Sequence, residues 1–183
     1  MKVRISLAAG AIGLGLFTAG LRADAIVVDP IEVGTGPFSS FVQIDFEQGE
    51  TFVFEVFYSD VAETTGFDLL LTLEETSSLG FEIEYDMFAF GPFVTGIGFN
   101  DIFESGDGSG GQGFWGYWAK TSMDESWSFP GVGTGDNLVS DGSWEGWVFG
   151  TGLAPKDVII PAPAATAALG GLLIGYGRRR RQA

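Results

Sequence analysis

Regular alternation of apolar and polar residues is the feature that most restricts the fold of this chain. Between Phe41 and Glu47, and again between Thr51 and Tyr58, every second residue is apolar, and Gln48-Gly49-Glu50 separates the two runs. Side chains alternate across a β-strand, so these runs predict an antiparallel hairpin with one buried face. A third alternating run, Phe81 to Asp86, predicts a strand whose acidic residues face water. The centre of the chain therefore favours a β-rich fold.

One helix is predicted after the hairpin. Thr65 and Asp68 have the spacing of a capping box, with Asp in place of the usual Glu. The segment from Phe67 to Thr76 that follows carries a leucine-rich face. Strands before and after a single helix predict an α+β class with a mixed or antiparallel sheet.

The second half of the chain predicts further strands. Phe93 to Phe99 is one, although its two glycines weaken it. Asn100 to Gly113 is rich in Gly, Asp and Ser and predicts a loop. Two tryptophan-bearing strands, Gly113 to Thr121 and Trp144 to Phe149, follow it.

These motifs, in this order, resemble a known small domain. The helix, then Phe93 to Ile97, then Phe114 to Trp118 and finally Asp141 to Trp147 look like the transcobalamin-like C-terminal domain. The resemblance spans about Phe41 to Phe149. It implies a β-grasp-like fold, in which one helix crosses a mixed sheet, and some relatives bind corrinoids.

The first 25 residues have the organisation of a secretory signal peptide. Lys2 and Arg4 precede an apolar run from Leu7 to Gly20, and Ala23-Asp24-Ala25 supplies a small-x-small cleavage pattern. We expect signal peptidase to cut after Ala25. An uncleaved anchor is the alternative, but the run is short of the roughly 20 residues that a span needs.

Residues 158–183 form a second addressing segment. Val158-Ile159-Ile160 leads into Pro161-Ala162-Pro163, a short apolar stretch from Ala164 to Gly177 follows, and Arg178, Arg179, Arg180 and Arg181 come almost at the end. The positive-inside rule keeps such an arginine cluster cytoplasmic and leaves the body outside. This pattern predicts a short transmembrane helix, and an ordinary tail anchor is one interpretation of it.

The same segment resembles the PEP-CTERM sorting signal of exosortase substrates in Gram-negative bacteria. That family most often has Glu where this chain has Ala162. The resemblance implies transient anchoring in the inner membrane and recognition by an exosortase-like membrane enzyme. It also implies removal of the tail near Pro161 to Pro163 and delivery to the cell surface or extracellular matrix.

The body between these segments, residues 26–157, is strongly acidic. It contains two basic residues, Lys120 and Lys156, and 23 acidic residues, so its net charge is about −21. Such a charge disfavours nucleic acid, whose binding needs basic residues, and keeps an exported protein soluble. Exopolysaccharide or envelope components are the partners that we expect.

The amino-acid composition excludes several kinds of chemistry. The chain has no cysteine and no histidine, so it cannot form a disulfide, a thiol nucleophile or a Ser-His-Asp triad. Its many carboxylates single out no acid/base pair. The sequence therefore predicts a protein that is not an enzyme.

Five aromatic residues are candidates for ligand binding. They are Trp115, Tyr117, Trp118, Trp144 and Trp147. Aromatic rings can stack on sugars or flat molecules, but they also fill cores, and both interpretations remain open. Trp115 and Tyr117 face one side of a strand and Trp118 the other, so they cannot all serve one surface.

Calcium is the one cofactor for which the sequence offers candidates. Asp101, Glu104 and Asp107 lie in the predicted loop, where carboxylates and carbonyls could coordinate it, and a solvated acidic loop is the alternative.

The sequence as a whole predicts a non-enzymatic exported protein of the surface or matrix. The alternative is a module that binds a saccharide or a corrinoid-like small molecule on a β-grasp domain.

Overall fold

The computed structural model describes residues 25–150 and 152–161, which form ten strands and one α-helix. The elements in chain order are β1 (Ile26–Val27), β2 (Ile31–Gly34), β3 (Phe38–Asp45), β4 (Thr51–Tyr58), α1 (Gly66–Glu75), β5 (Glu82–Phe88), β6 (Gly91–Phe99), β7 (Ile102–Ser105), β8 (Trp115–Lys120), β9 (Trp144–Phe149) and β10 (Val158–Ile159). A short 3-10 turn spans Ser109–Gly111. The class is α+β and mostly β-sheet, as predicted.

Two sheets build most of the domain. The larger is mixed and five-stranded, in the order β2-β4-β3-β9-β8, with β3 antiparallel to β4 and parallel to β9. The smaller is the antiparallel sheet β5-β6-β7. Helix α1 contacts β2, β4 and β5, so it joins the two sheets around one core.

The predicted helix and its cap are confirmed to within one residue at each end. The backbone N–H of Asp68 donates to Thr65 Oγ1 (3.2 Å), and the N–H of Thr65 donates to Asp68 Oδ2 (2.8 Å). This reciprocal box satisfies two donors that a helix start would otherwise leave unpaired. Further along the helix, Leu69, Leu70 and Leu73 are almost completely buried and belong to the hydrophobic core.

The predicted hairpin is also confirmed, and β3 is covered on both faces. Val42 and Ile44 face the core, while Gln43 and Asp45 lie on the opposite face and are equally buried. The segment that leads into β10 covers that second face. The N–H of Lys156 donates to Asp45 Oδ2 (2.7 Å), and Gln43 Nε2 donates to the carbonyl of Lys156 (3.0 Å).

The loop predicted from Asn100 to Gly113 is wrong over part of its length, because Ile102–Ser105 forms β7 and pairs with β6. Asn100 and Asp101 make the turn with φ angles of 54° and 64°. Two consecutive left-handed residues are the geometry of a type I′ hairpin, and Asn and Asp tolerate it better than most residues.

The first and last strands of the described chain pair with each other. Strands β1 and β10 run parallel, the N–H of Ile26 donates to the carbonyl of Asp157, and the N–H of Val28 donates to the carbonyl of Ile159, both at 3.0 Å. Val158 and Ile159, which the sequence analysis grouped with the C-terminal addressing segment, therefore extend the body by one short strand.

Most of the predicted processing residues lie outside the described residues. Ala23, Ala162, Pro163 and the arginines 178–181 are among them, whereas Ala25 and Pro161 stand at the two limits of the described chain. Within residues 25–150 and 152–161, no helix is both long enough and apolar enough to cross a membrane.

Candidate binding cleft

A cleft of about 290 Å³ lies against the aromatic strands β8 and β9. Its walls combine the start of β6, the inner face of β8, one residue of β9 and the segment 129–134. The lining residues are Phe90, Pro92, Phe93, Val94, Phe114, Trp115, Gly116, Tyr117, Phe129, Pro130, Val132, Gly133, Thr134 and Trp147. None of them is Asp, Glu, Lys or Arg, so the lining carries no charged side chain.

The residues at the mouth of the cleft are unusually exposed for their type. Phe90 is 64%, Phe129 62%, Val132 50% and Phe114 38% accessible to solvent. Single exposed apolar residues are ordinary, but a group of them around one concavity is typical of interaction sites, which makes this cleft the candidate site.

The pleat of β8 directs two of its three aromatic residues, Trp115 and Tyr117, toward the cleft. Trp115 and Tyr117 point to the same side because they are two residues apart. Tyr117 is directly opposite Trp147 on β9, and their rings stack with centroids 4.8 Å apart. The indole N–H of Trp115 donates to the carbonyl of Glu104 (3.0 Å), which fixes its ring.

A buried polar cluster lies behind Tyr117. Its hydroxyl donates to Glu145 Oε2, while Asn137 Nδ2 donates to Tyr117 Oη (2.7 Å) and to Glu145 Oε2 (3.2 Å). Glu145 is only 1% exposed. Burial raises the pKa of its carboxyl to about 7, against the opposing effect of the two hydrogen bonds. Burial and the adjacent Glu145 also raise the pKa of the Tyr117 phenol.

The cluster abuts the first turn of α1, where only glycine fits. A Cβ on Gly66 would stand 2.6 Å from Tyr117 Oη and 3.1 Å from Glu145 Oε2. The N–H of Gly66 donates to the carbonyl of Asn137 (2.9 Å), and the N–H of Phe67 donates to that of Thr134 (3.1 Å). The helix start thereby holds the 134–137 segment against the polar end of the cleft.

The structure divides the five aromatic residues that the sequence singled out. Trp115, Tyr117 and Trp147 line the cleft, whereas Trp118 and Trp144 lie on the other face of the sheet. Trp144 stacks on Phe41 with centroids 4.6 Å apart. Trp115, Trp144 and Trp147 are between 1% and 3% exposed, so the cleft is walled by residues that also fill the core.

Lys120 occupies an aromatic site on that opposite face. Its Nζ is 4.6 Å from the ring centroids of both Trp127 and Trp144 and donates to the carbonyl of Met123 (3.1 Å). Burial lowers the pKa of this amine. The arrangement is a cation–π contact that stabilises the outer face.

Two of the three calcium candidates accept hydrogen bonds from different backbone amides. Asp101 sits in the β6–β7 turn, Glu104 Oε2 accepts the N–H of Glu47 (2.9 Å), and Asp107 Oδ1 accepts the N–H of Ser109 (2.8 Å). In the part of the chain that the structure describes, no group of three or more His, Cys, Asp or Glu side chains is placed to hold a metal ion.

Sequence reasoning missed the polar cluster and the rim of the cleft. Glu145 carried a usable signal, because it shares a strand face with Trp147 and is the one acidic residue of β9. A lone acid on an aromatic strand face indicates a buried polar partner. Asn137, Thr134 and the rim residues lie in irregular segments whose position depends on long-range packing.

Among solved structures, two that match this chain do so at low sequence identity. No protein-family model and no curated protein matches the chain. A crystal structure described as that of a candidate metal binding protein from Ruminococcus gnavus matches with a TM-score of 0.42 and 20% identity, over 63% of this chain and 99% of that one. Haptocorrin in complex with Cbi matches with a TM-score of 0.44 and 14% identity, over 63% of this chain and 25% of haptocorrin.

Proposed function

We propose that this chain is an exported, non-enzymatic module that binds a small, largely apolar molecule in the cleft beside β8. The observation that carries the proposal is the convergence of exposed Phe90, Phe114, Phe129 and Val132 on a concavity without charged side chains. Sites for small molecules are concave and mostly apolar, with few polar groups. The mixed sheet with its packed helix is interpreted as β-grasp-like.

A fluorescent ligand tests the proposal directly. Prodan, an uncharged naphthalene ketone whose emission shifts to the blue in apolar surroundings, should bind residues 26–161 saturably with one molecule per chain. Phe90→Glu places a charge at the mouth and should weaken binding at least tenfold, because a bound apolar ligand would bury that charge.

Leu153→Glu is the matched control. Leu153 is 69% exposed and does not line the cleft, so the same new charge should leave prodan binding unchanged. Absence of saturable binding, or an equal loss in both variants, would contradict the proposal.

The cellular part of the proposal is delivery to the surface or matrix by signal peptidase and an exosortase-like enzyme. Its support is the order of the terminal motifs in the sequence, above all Pro161-Ala162-Pro163 and the arginines 178–181. Deletion of Arg178 to Arg181 should leave an unprocessed precursor in the inner membrane. Cell fractionation and intact-mass analysis check this, and normal surface delivery of the deletion variant would count against it.

A further inference from the structure

One wall of the cleft is a continuous irregular segment, residues 129–137, which we call the wall segment. Five of its residues line the cleft, namely Phe129, Pro130, Val132, Gly133 and Thr134. The wall segment belongs to no helix or strand. Its position therefore depends on the hydrogen bonds that it makes with the rest of the domain.

Those hydrogen bonds lie at the C-terminal end of the wall segment. The first two N–H groups of α1 donate to the carbonyls of Thr134 and Asn137. The side chain of Asn137 donates to Tyr117 Oη and to Glu145 Oε2. The wall segment is thus held in part by a contact with a buried carboxyl group.

The groups around Glu145 offer no cation to pair with it. The charged or titratable residues of the elements packed against it are Tyr117 on β8, Tyr58 on β4, Asp68 in the first turn of α1, Asp136 and Asp141 between β8 and β9, and Lys120 and Glu125 at a neighbouring cavity. Lys120 is the one cation among them, and two tryptophan rings and the carbonyl of Met123 hold its amine on the other face of the sheet. The amine of Lys156, the other basic residue of the body, donates to the carbonyl of Gly49 in the β3–β4 turn.

An ionised Glu145 is therefore a buried charge without a counter-ion, which is costly. Burial raises the pKa of its carboxyl to about 7, so its neutral and ionised forms are both populated near neutral pH. Burial and the adjacent Glu145 raise the pKa of the Tyr117 phenol, so Tyr117 keeps its proton there. Glu145 is thus the member of the polar cluster that changes its charge.

The wall segment also separates Glu145 from a water-accessible cavity. This second cavity, of about 240 Å³, is bordered by Glu145, Asn137 and Pro130. Pro130 lines the cleft as well, so the wall segment borders both cavities. An outward shift of the segment would hydrate an ionised Glu145 and would at the same time displace one wall of the cleft.

We infer that Glu145 makes the cleft a pH-gated binding site: neutral Glu145 keeps the wall segment packed against Tyr117, and ionised Glu145 releases it and weakens ligand binding. This inference rests on the proposed binding function and assigns its regulation. Glu145 does not line the cleft, so it is a positioning residue that acts through Asn137 and Tyr117.

The affinity for prodan, measured against pH, tests the gate. Prodan stays uncharged between pH 5.5 and pH 8.5, so a change in affinity reports on the protein. The Kd should rise at least about fivefold across this range, because the ligand binds the closed wall better than the released one. The midpoint of the rise should lie near pH 7.

Two variants assign the effect to Glu145. Glu145→Gln keeps the shape of the side chain but does not titrate, so its Kd should stay within about twofold over the same range. Glu84→Gln removes an exposed carboxylate of β5 and should keep the full pH dependence.

Hydrogen exchange in the unmutated protein follows the wall segment without any substitution. The amides of Gly66 and Phe67 donate to carbonyls of the wall segment, so their protection factors should fall between pH 6 and pH 8. The amide of Gly106 donates to the carbonyl of Thr95 (2.8 Å) in the smaller sheet. Its protection factor should fall by less.

Each outcome has a defined meaning. Absence of prodan binding at every pH overturns the proposed function and this inference together. The same Kd at pH 5.5 and pH 8.5, or a pH dependence that persists in Glu145→Gln, overturns the inference and leaves the function standing. If Glu145→Gln does not fold, equal changes in protection at Gly66, Phe67 and Gly106 overturn the inference.

Discussion

Glu145 is an acidic residue that is almost completely buried. Its carboxyl is buried beside Tyr117 and Asn137, and burial raises its pKa to about 7 from an ordinary 4.5. Between pH 4.5 and about pH 7, the carboxyl of Glu145 keeps its proton in the folded state and loses it in the unfolded state. The free energy of unfolding must therefore fall as pH rises through this window.

The first prediction follows from that linkage. At about 1.4 kcal/mol for each pKa unit, Glu145 should remove roughly 3 kcal/mol of stability between pH 4.5 and pH 8. Glu145→Gln keeps the shape and does not titrate, so its unfolding free energy should decline less by about that amount. Urea unfolding at pH 5 and pH 8 measures the difference.

Glu84→Gln is the control for this experiment, because Glu84 is an exposed carboxylate on β5. It should reproduce the pH profile of the unmutated protein. Parallel profiles for Glu145→Gln and the unmutated protein would show that Glu145 does not carry the predicted proton.

Single residues of the site were only partly predictable from sequence. Aromatic type and strand alternation correctly placed Trp115 and Tyr117 on one face and Trp118 on the other. Sequence could not show that Asn137 and Gly66 meet Glu145, because these contacts join segments 8 to 79 positions apart in the chain. Asp101, Glu104 and Asp107 are close in sequence, yet Glu104 and Asp107 accept hydrogen bonds from the different backbone amides of Glu47 and Ser109.

At the scale of elements, the β6–β7 hairpin offers the clearest test. Asp101 adopts a φ of 64°, which glycine adopts without the steric cost that a Cβ brings. Asp101→Gly should stabilise the protein by a few tenths to about 1 kcal/mol, since Asn-Gly is the preferred type I′ sequence. Asp101→Val should destabilise it by at least about 1 kcal/mol.

Thermal unfolding of the two variants checks this prediction. A neutral Asp101→Val would mean that the turn does not require a left-handed residue, and the hairpin would then have another geometry. The expected pair of results would mean that residue 101 affects stability through its backbone conformation.

Elements with a regular pattern of apolar residues were predicted well from the sequence. Elements that form only by pairing with a distant part of the chain were not. The hairpin of β3 and β4, the helix α1 and the tryptophan strands follow from local alternation and capping. Strand β7 was missed because it has only four residues, the segment that follows it is rich in Gly, Asp and Ser, and its Asn-Asp turn lacks glycine. The alternation from Phe81 to Asp86 placed Tyr85 on the buried face of its strand, but Tyr85 is 40% exposed, although its ring packs edge-on against Phe67.

At the scale of the whole molecule, the C-terminal segment completes the second face of the large sheet. Lys156 and Asp45 are 111 positions apart in the chain, and the backbone N–H of Lys156 donates a hydrogen bond to the buried carboxylate of Asp45. Lys156→Pro removes that donor and should lower the free energy of unfolding by about 1–3 kcal/mol.

Lys156→Ala is the matched variant, because it keeps the backbone N–H and loses only the Nζ contacts to Gly49 and Thr51. It should cost under about 1 kcal/mol, as exposed side-chain contacts usually do. Urea unfolding measures the free energy of unfolding of both variants. An equal decrease in the two variants would mean that the backbone hydrogen bond from Lys156 to Asp45 does not stabilise the protein.

The parallel pairing of β1 with β10 also has a mechanical consequence. A pull applied beyond Pro161, against resistance at the start of the body, would stretch the two strands along their length in opposite directions. The two backbone bonds of Ile26 and Val28 would then bear force together in shear, with the Lys156–Asp45 bond loaded immediately behind them. Tension on this end would reach the central strand of the larger sheet before it disturbed the aromatic cleft.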